Sequence, residues 1–208
     1  MNVEIWADVI CPWCAIGQAR LAKAIAGVPR PEDLHVVHRS FQLDPRAPST
    51  PVRTADMLRA KYGLSDARLQ ASWAHLTELA AAEGIVPYHL DNVVANTHLA
   101  HELAAFASAR GQADAAWRLL YRAYFGERRS IFDVDALVVL AGELGLDADE
   151  ARGALLDGRY RATVDADARD ARELGVTGVP FVLVDQKIAV AGAQPVAAFV
   201  EAITRARA

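Results

Sequence analysis

The chain has 208 residues, a length that fits one elaborated domain or a domain carrying a large insertion. Its 22 Lys and Arg against 26 Asp and Glu give a formal net charge of -4, and neither sign gathers into a block, which argues against a nucleic-acid partner. Although 53% of the residues are hydrophobic, no apolar run approaches the roughly 18 residues that a membrane span requires. The composition therefore predicts a soluble protein with no membrane partner.

The first part of the chain predicts a strand, a helix and a second strand. An alternating apolar run predicts a short strand over residues 2–7. A helix follows, with Pro12 at its first position and Gly27 at its end. Residues 34–43 are again rich in apolar and β-branched side chains and predict the second strand, which a proline-containing loop follows.

The remainder of the chain changes from helical to strand periodicity. From residue 54 to 157 the pattern is helical throughout, with no candidate strand of convincing length. One more long helix is expected to end at Gly175. Residues 181–184 and 188–191 then form two short apolar runs with hairpin spacing, and a closing helix is predicted over residues 197–206.

The N-terminal segment predicts a cellular location, and the cysteine count predicts the role of any disulfide. The first residues lack the basic region, the long apolar stretch and the small-residue cleavage site of a secretory signal, which predicts a cytoplasmic protein. The two cysteines, Cys11 and Cys14, are too close in sequence for a disulfide between them to cross-link distant parts of the fold. Any disulfide between them is therefore expected to be catalytic or regulatory.

Two cysteines separated by two residues, the first at a helix start, form a pattern suited to thiol–disulfide exchange. The unpaired N–H groups and the positive end of the helix dipole stabilise a thiolate at Cys11, which makes this residue the nucleophile. Cys14, one turn inside the helix, can attack the resulting mixed disulfide and release the substrate. The pattern predicts that Cys11 starts the reaction and that Cys14 resolves it.

A zinc site and a pair of buried small side chains are the alternatives to a redox pair. Zinc needs two further ligands. His98 and His101 share a helix face, but they are better explained as exposed residues of an amphipathic helix, and no metal site is predicted. Two unrelated core cysteines remain an alternative, although a C-x-x-C that opens a helix directly after a strand favours the redox interpretation.

Taken together, the motifs resemble those of the DsbA-like branch of the thioredoxin superfamily, and within it the FrnE-like cytoplasmic oxidoreductases. The resemblance covers nearly the whole chain, because the matching segments keep their order and spacing. These segments are Ala7-Asp8-Val9-Ile10-Cys11-Pro12-Trp13-Cys14-Ala15-Ile16-Gly17, Phe41-Gln42-Leu43, Asn96-Thr97-His98-Leu99-Ala100-His101, Ala123-Tyr124-Phe125, Gly178-Val179-Pro180-Phe181 and Ala191-Gly192-Ala193-Gln194-Pro195. The resemblance implies an α/β, thioredoxin-like domain over residues 1–53 and 158–208. An all-helical insertion over residues 54–157 would cover its active-site face.

The resemblance also implies substrate-binding residues. From the local sequence alone the bond before Pro180 is expected to be trans, whereas the resemblance implies a cis bond and a position against the two cysteines. Val179 would then offer its backbone to an extended substrate strand. Asn96 and His98 would lie in the part of the insertion that faces the site, although a helix N-cap accounts for Asn96 equally well.

Two departures from the family pattern bear on the mechanism. The oxidant that gives the branch its name has Pro-His between its cysteines, and that histidine can help to stabilise the thiolate. Here Trp13 stands at this position, so Cys11 is expected to be less stabilised as a thiolate and the disulfide less oxidising; Trp13 is assigned to substrate binding. Thioredoxin-like proteins often have a buried carboxylate where this chain has Ile5. Asp8 is the nearest carboxylate in the sequence. It either takes part in proton transfer from the second cysteine or caps a turn, and the capping role is favoured.

These observations favour a thiol–disulfide oxidoreductase or isomerase that uses Cys11 and Cys14 and needs no cofactor beyond this redox-active disulfide. Its partner would be a disulfide-containing protein or small molecule, with glutathione as a candidate co-substrate. The first alternative is a glutathione-dependent transferase or isomerase of the kappa type, whose members generally have serine in place of the first cysteine. The second is a redox-switched binding module. Apolar surfaces of the insertion could equally support a homodimer.

Overall fold

The computed structural model describes all 208 residues, which divide into two compact units. The first unit comprises Met1–Leu43 and Arg161–Ala208, and the second is the intervening segment Asp44–Tyr160. The boundaries predicted from the sequence, residues 54 and 157, lie inside that segment. The loop before residue 54 belongs to the second unit, where its short strand pairs with another strand of the same unit.

The secondary structure begins and ends with elements of the first unit. In chain order the elements are β1 (Asn2–Ala7), α1 (Pro12–Gly27), a 3-10 turn (Pro31–Asp33), β2 (His35–Ser40), β3 (Val52–Arg53), α2 (Thr54–Tyr62), α3 (Asp66–Ala82), β4 (Val93–Val94), α4 (His98–Ser108), α5 (Ala113–Tyr121), a π-helical turn (Arg122–Gly126), α6 (Val134–Glu143), α7 (Ala148–Leu156), α8 (Arg161–Glu173), β5 (Phe181–Val184), β6 (Ile188–Ala191) and α9 (Val196–Arg207). None of these helices combines the length and the apolar character needed to cross a bilayer.

A four-stranded sheet in the order β2-β1-β5-β6 forms the centre of the first unit. β1 and β2 are parallel and are joined through α1, whereas β5 pairs antiparallel with both β1 and β6. Because side chains alternate along a strand, each strand contributes to both faces. On one face Val3, Ile5 and Val182 pack with residues of α1 and α9 in the larger core of the unit.

The opposite face of the sheet combines apolar packing with buried charge. Trp6 is 2% exposed, and its indole Nε1 donates a hydrogen bond to the Asp167 carbonyl of α8 at 3.1 Å. Glu4 and Asp167 are 6% and 5% exposed. The Arg39 guanidinium from β2 reaches both carboxylates, with its Nη2 2.7 Å from Glu4 Oε1 and its Nη1 3.0 Å from Asp167 Oδ1. One arginine therefore neutralises the buried carboxylates of β1 and α8.

The second unit is helical apart from the two-residue strands β3 and β4, which pair antiparallel. α4 packs against α5, α6 and α7. Asp147 caps the N-terminus of α7: its carboxylate accepts a hydrogen bond from the Glu150 amide at 2.7 Å, which satisfies one unpaired N–H of the first helical turn. β3 and β4 are too short to produce a periodic sequence pattern, which explains why the sequence predicts no strand here.

Most element boundaries predicted for the first unit agree with the structure. The hairpin over residues 181–184 and 188–191 is present with these bounds. β2 is shorter than predicted, because it ends at Ser40 and the chain then leaves the sheet. The Leu43 amide donates instead to the Asp8 carboxylate, at 2.7 Å from Oδ2, so the residues after β2 follow the turn after β1 rather than extending the strand.

We predict that Arg39→Ala lowers the free energy of unfolding at neutral pH by about 3 kcal/mol, because two buried carboxylates lose their cation. Burial already raises the pKa of Asp167, and Arg39 opposes that shift, so the substitution raises the pKa further. A carboxyl group whose pKa is higher in the folded than in the unfolded protein stabilises the fold at a pH below its unfolded-state pKa. This stabilisation is lost as the pH rises through the folded-state pKa. The difference in free energy of unfolding between Arg39→Ala and the wild type should therefore become smaller as the pH falls toward about 4, as measured by urea unfolding.

Arg118→Ala is the matched control, since Arg118 is 65% exposed and pairs with Asp114 of the same helix. Loss of such an exposed pair should change stability by less than about 1 kcal/mol. Equal losses in the two variants, or a loss at Arg39 that does not depend on pH, would contradict the account of the buried ion network.

Candidate active site

The two cysteines lie where β1 turns into α1. The Cys11 amide donates to the Asp8 carbonyl at 3.1 Å, which closes the turn after the strand. Cys11 has extended backbone angles at the N-cap position, Pro12 is the first helical residue, and the first turn contains no acidic side chain. The positive end of the helix dipole therefore acts on Cys11 without an opposing charge in that turn.

The two thiols occupy different environments. Both cysteines are free thiols, with Cys11 3% exposed and Cys14 fully buried. The Cys11 thiol donates to the Val179 carbonyl, with Sγ 3.6 Å from the oxygen. Burial raises the pKa of the Cys14 thiol well above its usual range; the hydrogen bond to Cys11 and the charge there raise it further. Cys14 is therefore held as a protonated thiol at neutral pH, behind the more accessible Cys11.

The segment before β5 closes one side of the site. The Val179–Pro180 peptide bond is cis, and Pro180 is buried. The Pro180 carbonyl accepts a hydrogen bond from the Gly192 amide at 2.8 Å, and the Ala193 carbonyl accepts one from Arg20 Nη1 at 2.7 Å. Backbone groups of the loop after β6 therefore connect the Pro180 segment to α1.

Gly17 allows Pro180 to approach α1 closely. A Cβ atom built on Gly17 would lie 2.7 Å from Pro180 Cγ and 3.5 Å from the Ala193 Cα. The first distance is shorter than any normal carbon–carbon contact, so a larger residue would displace the proline. The sequence shows Gly17 only as part of a motif. A glycine inside a helix is nevertheless a signal in itself, because it costs stability and so points to a packing or functional reason.

Trp13 is the exposed apolar residue of the motif. Its side chain is 40% exposed, although it stands between two buried cysteines. Val179 is half-buried and packs against the apolar cluster on the α8 face of the sheet, which includes Trp6 and Leu183. A partly exposed apolar surface thus accompanies the cysteine pair in the first unit.

The other two predicted binding residues, Asn96 and His98, lie in the second unit. The Asn96 side chain donates to the Pro45 and Ala47 carbonyls at 3.1 and 3.3 Å, and its Oδ1 accepts from the His98 amide at 2.9 Å. His98 Nδ1 lies 3.1 Å from Glu102 Oε1. These contacts attach the loop after residue 44 to the start of α4, and contact of either residue with substrate stays a prediction.

The interpretation of His101 as an exposed helix residue is wrong. Its side chain is fully buried, and its ring packs edge-on against Trp117 with 5.5 Å between ring centroids. Position on a helix face does not reveal which other helices cover that face. The structure contains no group of three or more His, Cys, Asp or Glu side chains placed to hold a metal ion.

Comparison with known proteins identifies the family. The model of the DSBA-like thioredoxin domain matches residues 2–204. The crystal structure of a probable DsbA oxidoreductase from Streptomyces coelicolor is 43% identical in sequence, with a TM-score of 0.95 over 100% of this chain and 90% of that one. A 2-hydroxychromene-2-carboxylate isomerase is 19% identical, with a TM-score of 0.74 over 99% of this chain and 95% of that one. The cytosolic disulfide reductase DsbM from Pseudomonas aeruginosa, solved with GSH, is 20% identical, with a TM-score of 0.64 over 100% of this chain and 96% of that one.

The chain belongs to the DSBA-like thioredoxin domain family. The match confirms the DsbA-like resemblance and the predicted fold class, an α/β thioredoxin-like fold with a large helical insertion. Membership supports an oxidoreductase or isomerase that acts on thiols and disulfides. The isomerase and the disulfide reductase, each less than 25% identical to this chain, show the fold alone. The narrower FrnE-like assignment stays a prediction.

We predict that Gly17→Ala both destabilises the protein and slows the reaction of Cys11. Without a clash, a helical Gly→Ala change stabilises by up to about 1 kcal/mol. Here the new methyl group would displace Pro180, at a cost of about 1–3 kcal/mol, and move the Val179 carbonyl away from Cys11 Sγ. Urea unfolding and the rate of insulin disulfide reduction measure the two effects, with a rate loss of at least about tenfold expected.

Gly142→Ala is the matched control for Gly17→Ala. Gly142 lies in α6, and a Cβ built there meets no atom within 4 Å. This variant should be slightly more stable than the wild type and equally active. If both glycine variants behave alike, the close approach of Pro180 has no role in the site.

Proposed function

We propose that the protein is a dithiol–disulfide oxidoreductase or isomerase in which Cys11 is the nucleophile and Cys14 the resolving thiol. The observation that carries this proposal is the asymmetry of the pair: Cys11 lies at the N-terminus of α1 with its thiol donating to the Val179 carbonyl, whereas Cys14 is fully buried, and burial raises the pKa of its thiol. The helix end favours the thiolate at Cys11 and burial disfavours it at Cys14, so the two steps take place in order.

Reduction of a substrate proceeds by two exchanges. The Cys11 thiolate attacks one sulfur of the substrate disulfide, a Cys11–substrate bond forms, and the other substrate sulfur leaves as a thiolate. Cys14 then loses its proton and attacks Cys11 Sγ, so the Cys11–Cys14 disulfide forms and the second substrate thiolate leaves. Two electrons pass from the cysteine pair to the substrate. Oxidation of a dithiol is the same sequence in reverse.

The substrate is proposed to bind along the Pro180 segment. Val179 is half-buried and Trp13 is exposed, so an extended peptide could pair with the Val179 backbone and rest on the indole. Asn96 and His98 are proposed as further substrate-binding residues. Glutathione is the proposed small co-substrate, since DsbM, a relative in fold, was solved with GSH. The cytoplasm is the proposed location because DsbM, a relative in fold, is a cytosolic disulfide reductase.

We predict that Cys14→Ser accumulates mixed disulfides at Cys11, because the serine hydroxyl cannot resolve them. The variant is incubated with oxidised glutathione or a disulfide-containing protein, and adducts are measured by intact-protein mass spectrometry. Cys11→Ser is the control and should form no adduct, since the buried Cys14 is not accessible. A redox-switched binding module would be favoured instead if Cys11→Ser kept every measurable activity.

We predict that the cysteine pair has a reduction potential well below the value of about -120 mV that is typical of DsbA. Trp13 places no charge beside the Cys11 thiolate, so the reduced form gains less stabilisation than it would from a neighbouring histidine. Equilibration with glutathione buffers, followed by thiol alkylation, measures the potential. A potential near that of DsbA would favour net oxidation of substrate dithiols by the protein.

Glutathione binding without insulin reduction would favour a kappa-type transferase or isomerase. The shared fold of the chromene-carboxylate isomerase is the observation that supports this alternative.

A further inference from the structure

The central sheet of the first unit has one unprotected edge. Its strand order, β2-β1-β5-β6, makes β2 and β6 the two edge strands. An edge strand presents unpaired main-chain groups that can pair with another chain, and charged side chains or proline commonly prevent this. β2 contains Arg39 and the exposed His35, whereas β6 has the sequence Ile-Ala-Val-Ala, without charge or proline. β6 is therefore the edge at which this sheet can be extended.

The outward-facing main-chain groups of β6 belong to two alanines. The Gly192 amide, directly after β6, donates to the Pro180 carbonyl at 2.8 Å and continues the ladder between β5 and β6. Pairs that exchange hydrogen bonds alternate along an antiparallel ladder, so Val190 directs its amide and carbonyl toward β5. Ala189 and Ala191 direct theirs away from β5, and both residues are exposed. The open edge thus presents main-chain donors and acceptors at these two alanines.

A groove of about 300 Å³ lies beside this edge and is lined by residues of β6 and α9. From α9, Ala198 and Ala202 contribute small side chains to the lining. Glu201 and Arg205 also line the groove, with side chains that are 67% and 66% exposed, and Arg205 Nη1 lies 3.3 Å from Glu201 Oε1. The space beside the open edge is therefore bordered by small side chains and by one exposed charge of each sign.

A second copy of β6 satisfies the requirements of this edge. Antiparallel pairing about a two-fold axis can place Ala189 of each copy opposite Ala191 of the other, where the two residues exchange main-chain hydrogen bonds. The Ala191 carbonyl accepts a hydrogen bond from Gln194 Nε2 at 3.0 Å and keeps a second lone pair for the partner strand. A two-fold contact also needs a self-complementary surface, and here Arg205 of each copy can pair with Glu201 of the other. A peptide with charges of one sign would instead leave one of these two groups beside a like charge.

We propose that the protein forms a homodimer in which β6 pairs antiparallel with β6 of a second copy. The two sheets then become one continuous sheet in the order β2-β1-β5-β6-β6-β5-β1-β2, and no open edge remains at β6. In this mode of association the main-chain hydrogen bonds supply affinity and the neighbouring side chains supply specificity. The dimer does not depend on the redox chemistry proposed for Cys11 and Cys14.

Amide hydrogen exchange in β6 tests the proposal on the wild-type protein. Exchange is measured at about 1 and 100 µM, a range that spans the micromolar affinities of small interfaces, by mass spectrometry with electron-transfer fragmentation, which resolves individual amides. Light scattering gives the dimer fraction at each concentration. The Ala189 and Ala191 amides should exchange about tenfold more slowly when about nine-tenths of the chains are dimeric, because only the monomer leaves them open. The Val190 amide, which bonds to β5 in either state, is the internal control. A protein that stays monomeric at the higher concentration, or a dimer in which both alanine amides remain unprotected, overturns the proposal.

Ala189→Pro removes an outward-facing amide and is expected to prevent dimerisation. Proline is tolerated on an edge strand where its missing N–H would face solvent, so the pairing of β6 with β5 should remain. Light scattering should then show a monomer at the higher concentration, with a circular dichroism spectrum that matches the wild type.

Charge reversal at the groove provides a second pair of variants, which change only exposed side chains. Arg205→Glu gives each copy two acids and Glu201→Arg two bases, so each variant alone should dimerise at least about tenfold more weakly, and an equimolar mixture should recover the wild-type affinity. Arg118→Glu is the matched control, since Arg118 is 65% exposed and pairs with Asp114 in the same i,i+4 arrangement, but lies on α5. A dimer that withstands both Ala189→Pro and Arg205→Glu forms through another surface and overturns the proposal, as does a mixture that stays monomeric.

Discussion

The close approach of Pro180 to α1 at Gly17 is the contact on which the site depends. The absence of a side chain at Gly17 lets the proline ring pack on the first turns of the helix, and this places the Val179 carbonyl 3.6 Å from Cys11 Sγ. Hydrogen bonds from Gly192 to the Pro180 carbonyl and from Arg20 to the Ala193 carbonyl add to this packing. Segments from both ends of the chain therefore form the surroundings of one thiol.

The same packing gives the two cysteines different surroundings. Cys11 is 3% exposed and lies at a helix terminus whose dipole favours an anion, whereas Cys14 is fully buried. The unit holds three buried carboxylates, at Glu4, Asp8 and Asp167. Arg39 neutralises Glu4 and Asp167, which makes those two part of the structural core. The Asp8 carboxylate instead accepts a hydrogen bond from the Leu43 amide at 2.7 Å and so holds the segment after β2 against the turn that leads to Cys11.

The fold alone does not decide which reaction the protein performs. A chromene-carboxylate isomerase and a disulfide reductase both share this architecture at about one-fifth sequence identity. The chemistry follows from the residues at the start of α1. In this chain both cysteines are present, the Trp13 between them carries no charge, and the first turn of the helix holds no acidic side chain.

The sequence by itself determined the order of the elements of the first unit, the C-terminal hairpin and the two cysteines proposed as the redox pair. These features depend on local periodicity, on Pro12 and Gly27 as helix boundaries, and on cysteine spacing, all of which are visible along the chain. The tertiary structure alone showed what depends on distant contacts: the role of Gly17, the burial of Asp8 and His101, and the short strands β3 and β4. A residue's burial depends on which element covers it, and one sequence carries no direct record of that pairing.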